Sequence, residues 1–113
     1  MFSDRARSRL EHVVENADWI EEYLSGFDMD RFRADRKTAD AVERCLERIA
    51  EAIVQLGPSD AALAGIVLPW NDVRSLGNRL RHEYSRINRQ IIYDTARDDI
   101  PTLREAAFKA LNE

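Results

Sequence analysis

Residues 35–56 read DRKTADAVERCLERIAEAIVQL, and the spacing within them decides the fold. Apolar or small side chains recur at Thr38, Ala41 or Val42, Cys45, Ile49, Ala52 or Ile53, and Leu56, the interval of three and four that lines one face of an α-helix. Asp35 stands at the N-cap, where its carboxylate can accept a first-turn N–H, and Gly57-Pro58 stops the run. The same period returns upstream in Leu10, Val13 or Val14, Ala17, Ile20 or Trp19, and Leu24, behind an N-cap at Ser3 and closed by Ser25 and Gly26. A short turn over residues 27–34 joins the two helices. Downstream, residues 59–70 form a connector with room for one helical turn, because Pro69 prevents a helix from running through. Asn71 then caps a third helix with the stripe Val73, Leu76, Leu80, Tyr84 or Glu83, and Ile87. A fourth helical region runs from about Gln90 to Leu111, with Pro101 in the first turn of a separate terminal helix capped by Asp99. No segment alternates with the period of a strand. The expected fold is all-α: an antiparallel four-helix bundle with one or two short extra helices.

The chain has 113 residues, 44% of them hydrophobic and 34% charged, which suits one soluble domain over residues 1–113. A core of that size folds without disulfides or a structural metal. Cys45 is the single cysteine and sits on the apolar stripe, so it reads as a buried thiol in a reducing cytoplasm. Asp4, Arg5, Arg7 and Arg9 with no apolar run behind them do not make a signal peptide. The longest nearly apolar run, residues 61–70, contains a proline and is too short to cross a membrane. His12 with Glu11 and Glu15 falls short of the converging ligands that zinc needs, so neither a metal nor a cofactor is expected. The sequence also lacks a Gly-rich phosphate loop.

Charge is distributed unevenly. Residues 71–89 hold Arg74, Arg79, Arg81, Arg86 and Arg89 against Asp72 and Glu83, a local +3 in a chain whose net charge is -4. The rest of the chain therefore carries -7. At 100° per residue Ser75, Asn78, Arg79, His82, Ser85, Arg86 and Arg89 share one side, away from Leu76, Leu80 and Ile87. A histidine among guanidinium groups is held neutral by like charge and so is available as a base near pH 7. The arginines would attract a phosphate and stabilise charge that develops on it. That pairing suits metal-free cleavage of a phosphodiester, with histidine moving protons and arginine gripping phosphate. A solvated or salt-bridged helix face is the plainer reading of the same residues.

The run Pro69-Trp70-Asn71-Asp72-Val73-Arg74-Ser75-Leu76-Gly77-Asn78-Arg79-Leu80-Arg81-His82-Glu83-Tyr84 resembles the signature helix of HepT-like proteins, the HEPN-domain ribonuclease toxins paired with MntA nucleotidyltransferase antitoxins. Asp35-Arg36-Lys37-Thr38, the stretch from Glu43 to Ala52, Ile91-Ile92-Tyr93-Asp94-Thr95 and Ile100-Pro101-Thr102-Leu103 extend the resemblance over almost the whole chain. It implies a HEPN-like bundle that forms a homodimer around the signature helix, with one composite cleft for RNA. It further implies that His82 cleaves RNA together with an arginine. Gly77 occupies the position directly before the asparagine where the family usually has that arginine, and Arg79, Arg74 and Arg81 are the nearby alternatives. Arg79 lies three residues from His82 on the same face, whereas Arg74 could reach a cleft shared across the dimer. Arg81, Asn78 and Arg86 would add RNA and phosphate contacts. Tyr84 matches the tyrosine that the antitoxin adenylates, with packing as its other possible role. Glu51 could orient His82 or neutralise a cleft arginine, or simply face solvent.

Three functions follow. The first is a toxin subunit, a metal-independent endoribonuclease whose partners are a second copy, RNA and an MntA-like nucleotidyltransferase. The second is a HEPN binding module that docks such a partner or nucleic acid without cutting, and the third is a plain dimerisation module.

Overall fold

The computed structural model describes residues 2–66 and 89–113, and among them there is no strand. Helix α1 (Asp4–Leu24) begins where the Ser3 hydroxyl accepts the Ala6 N–H at 3.0 Å, with Asp4 favourably placed in its first turn. Gly26, at φ 78°, takes the left-handed conformation that turns the chain after Ser25. Helix α2 (Met29–Ala34) follows, and α3 (Arg36–Leu56) comes directly after it. Asp35 serves both of these helices. Its N–H donates to Phe32 O at 3.2 Å, and its carboxylate accepts from Thr38 N at 3.0 Å. Helix α4 (Pro58–Leu63) leads to Ile66. From Arg89 the chain is helical without interruption: α5 (Arg89–Asp94), a π-helical turn (Thr95–Asp99) and α6 (Ile100–Leu111).

The stripes predicted from spacing for α1 and α3 face one core. Leu10, Val13, Ile20 and Leu24 of α1 meet Val42, Ile49 and Ile53 of α3. Ile92, Leu103 and Ala107 close the other flank. Where spacing left a choice, burial selects Val13 over Val14, Ile20 over Trp19 and Val42 over Ala41. Cys45 is buried on the stripe, as its position implied. The α1–α6 register is antiparallel and can be followed through three ties. Arg7 Nη2 donates to Leu111 O at 3.2 Å, Arg104 Nε to Asp18 Oδ1 at 3.0 Å, and Arg97 Nη2 to Leu24 O at 2.8 Å.

The architecture is the all-α, HEPN-like one expected, and the third helix expected from Asn71 onward lies outside the described residues. Three local expectations need correcting. Residues 27–34 are not merely a turn. Asp28 Oδ1 caps Arg31 N at 2.8 Å, and Phe32 is 0% exposed, so one buried ring and one cap hold a helix too short for periodicity to show. Pro58 does not only end α3; it opens α4 in the first-turn position that tolerates proline. Asp99 does not cap a separate terminal helix. It has helical dihedrals and no side-chain cap bond, and Ile100 N–H reaches back to Thr95 O, five residues earlier. This wider turn opens the hydrogen-bond ladder beside Pro101, which can donate no bond and whose ring would crowd a regular turn.

Arg97, on the π turn, ties this segment to the end of α1. Its guanidinium donates to Leu24 O and, at 2.6 Å, to Phe27 O, and Nε donates to Tyr93 Oη at 3.2 Å. Tyr93 Oη in turn donates to Phe27 O at 3.0 Å. A cation thus sits on the last carbonyl of α1, which the helix leaves without an intrahelical partner, and on that of Phe27 in the link to α2.

Candidate functional site

The site residues expected from sequence, His82, Arg79, Arg74, Arg81, Asn78, Arg86 and Tyr84, all lie within 67–88 and so outside the described residues, as does Gly77. The frame on either side is described. Before the stretch, Ile66 is buried and its N–H donates to Ala61 O at 2.9 Å, just after Gly65 at φ 76°. After it, Arg89 Nη1 donates to Arg33 O at 2.5 Å, and Arg33 Nη2 donates to Gln90 Oε1 at 3.2 Å. The described residue before the stretch is thus held to α4, and those that follow residue 88 are held to α2.

Arg89 also acts on α3. Burial pushes the Glu43 carboxyl above the ordinary carboxylate range, Asp40 adds like-charge repulsion, and Arg89 pulls the other way. A carboxyl whose folded pKa is raised binds more protons folded than unfolded, so its contribution to stability is lost as pH rises through the folded value. Glu43→Gln should accordingly be more stable than the wild type at pH 7. The advantage should shrink as pH falls through the raised folded value and be gone by about pH 4, just below the ordinary glutamate range, where the folded and unfolded side chains both take up the proton. Urea unfolding at both pH values reads this directly, and an equal effect at the two would contradict it.

Glu51 is half-buried and accepts an exposed hydrogen bond from Gln55 Nε2 at 2.7 Å, one turn along the same helix, a contact open to a surface carboxylate. Burial raises the Cys45 thiol, with Arg48 and Arg44 opposing, which keeps it protonated and unreactive. Among the described residues no group of three or more His, Cys, Asp or Glu is arranged to hold a metal ion, and His12 stands in a different setting. It lines a groove of about 390 Å³ between α1 and α3, together with Arg9, Asn16, Trp19, Arg48 and Gln55. Sequence reading passed over this groove. Its one available sign is Asn16, a polar residue beside Ala17 on the edge of the apolar stripe, which proves to be only 4% exposed. A second groove, of about 510 Å³, runs between α1 and α6 past the Arg104–Asp18 ion pair. No helix among the described residues is long and apolar enough to cross a membrane.

The all-α architecture of the described residues is that of a HEPN-like domain. Residues 13–109 match the Ribonuclease HepT-like family, and the chain belongs to that family. It is 32% identical over 95 residues to the "Probable ribonuclease HepT" of Thermococcus cleftensis, covering 84% of this chain and 86% of that protein. It is 29% identical over 107 residues to "Putative RNase TTE0752" of Caldanaerobacter subterraneus subsp. tengcongensis, covering 95% of each. With "Putative RNase MJ0127" of Methanocaldococcus jannaschii the identity is 35% over 95 residues, 84% of this chain and 78% of the other. No solved structure matches the chain significantly.

Proposed function

We propose that this chain is the toxin subunit of a HepT/MntA-like toxin–antitoxin module, a metal-independent endoribonuclease that works as a cytoplasmic homodimer. The observation that carries the proposal is His82, set among the arginines of residues 71–89 inside the segment that matches a ribonuclease family. His82 takes the proton of a ribose 2'-hydroxyl as its oxygen attacks the adjacent phosphorus, and a protonated imidazole returns a proton to the departing 5'-oxygen. The product is a cyclic phosphate. Arg79 or Arg74 holds the scissile phosphate, and Arg81, Asn78 and Arg86 bind its neighbours. Adenylation of Tyr84 by the nucleotidyltransferase partner would place an anion beside these arginines and compete with RNA.

Gly77, in place of the usual arginine, favours a second reading, a HEPN module that binds RNA or its partner without cutting. Incubating the purified protein with tRNA in EDTA separates the two. Cleavage that leaves cyclic phosphate ends supports the ribonuclease. Intact tRNA that is nevertheless bound, with affinity falling steeply as salt rises, establishes the binding module instead.

A further inference from the structure

None of the described residues that line the groove between α1 and α3 is among those assigned to RNA cleavage, and two of its polar groups are left without partners. Arg9 and Arg48 bring two guanidinium groups to it from different helices against the single carboxylate of Glu15, His12 lies between Arg9 and Glu15 on α1, and Trp19 brings a half-buried indole. Two buried polar atoms of its lining, Arg9 Nε and Asn16 Oδ1, have no hydrogen-bond partner. The orientation of the Asn16 amide is set by its neighbour, since the nitrogen donates to His12 O at 2.9 Å and leaves the oxygen over. One orphan is thus a donor and the other an acceptor. Their residues stand seven apart on α1, roughly 10 Å along the axis and on the same face, and a single small ion cannot be both acceptor for one and donor to the other. A ligand that satisfies both carries an anionic oxygen at one place and an N–H or O–H at another, and a flat ring would use the indole. Single-stranded RNA repeats that combination in every nucleotide.

We propose that this groove grips a short stretch of single-stranded RNA, with phosphate oxygens on Arg9 and Arg48, a base against Trp19, and a nucleoside hydrogen donated to Asn16 Oδ1. From Arg9 to Trp19 the groove follows ten residues of α1, roughly 15 Å, so it holds more than one phosphate but not a long strand. The inference rests on the reading of this chain as an RNA-directed protein and extends it to a strand grip outside residues 67–88.

The test uses the full chain carrying His82→Ala, so that the ligand stays uncut, and a short fluorescein-labelled oligoadenylate followed by anisotropy. Arg48 is exposed, so Arg48→Ala leaves packing intact; it should weaken binding and reduce the slope of log affinity against log salt by about one. Trp19→Leu should weaken binding roughly fivefold or more. With Trp70→Phe added, Trp19 is the only tryptophan, and oligoadenylate should quench its emission. If RNA binds but neither variant changes its affinity and Trp19 emission stays constant, the groove assignment is overturned while the RNA reading stands. If the parent chain binds no RNA at any salt concentration, the RNA reading fails and the groove assignment falls with it.

Discussion

Phe32→Ala should destabilise the protein by about 3–5 kcal/mol, the usual cost of emptying an aromatic site in a packed core. For a chain of this size that corresponds to a fall in Tm on the order of 10–20 °C. The size of the effect comes from position. Phe32 is 0% exposed, although the helix that carries it has only six residues and is charged on its other faces. Its ring lies 5.3 Å from that of Tyr93, centroid to centroid and tilted by 52°, a geometry that favours aromatic pairs. Tyr93 in turn holds Phe27 O. Removing the ring would therefore open a cavity and loosen the contact between α2 and α5, from which Arg33 and Arg89 reach each other's segments. Thermal unfolding followed by circular dichroism gives the number. A shift of only a few degrees would mean that α2 is a peripheral ornament.

The second large effect is on activity. His82→Ala should lower RNA cleavage by about a hundred- to ten-thousandfold, the range attributed to a single proton-transfer group, at unchanged fold and dimer content. Arg79→Ala and Arg74→Ala then decide which arginine serves the phosphate, and mixing subunits adds a geometric test. If the arginine and the histidine of one centre come from different protomers, His82→Ala and the inactivating arginine variant combine to regenerate one intact centre per mixed dimer. If they come from the same protomer, the mixture stays as inactive as its parents. A His82→Ala chain that cleaves as fast as the wild type would remove the histidine from the chemistry.

Long helices were legible in the sequence because a stripe such as Leu10 to Leu24 or Val42 to Leu56 repeats the same spacing often enough to exclude other periods. Caps at Ser3 and Asp35 were legible because a hydroxyl or carboxylate before such a stripe has one obvious backbone partner. Helix α2 was not. Six residues with Met29 and Phe32 as the only large apolar side chains give no period, and the helix exists because Phe32 finds a pocket supplied from residue 93 and elsewhere. The π turn escaped for a related reason: Pro101 announces a disturbance in the backbone but not which of several remedies the chain adopts. Among the candidate site residues, His82 and its arginines stood out by charge and family likeness. Arg9, Asn16 and Arg48 did not, because a groove is a relation between two helices and neither sequence segment contains it.

The ties between α1 and the end of the chain bear on the order in which the molecule can be assembled. Arg97 reaches Leu24 across 73 residues, and Arg7 reaches Leu111 across 104. The α1–α3 hairpin can close soon after residue 56 has been synthesised, since its contacts are comparatively local. The other flank of α1 has to wait for Ile100, Leu103, Ala107 and Ala110, which are made well after residue 56. Until those residues emerge, a strip of Leu and Ala side chains on the first helix stays wet, as an attachment point for a chaperone or for a neighbouring nascent chain. Any protease that removes residues beyond the π turn returns the finished protein to that unfinished condition.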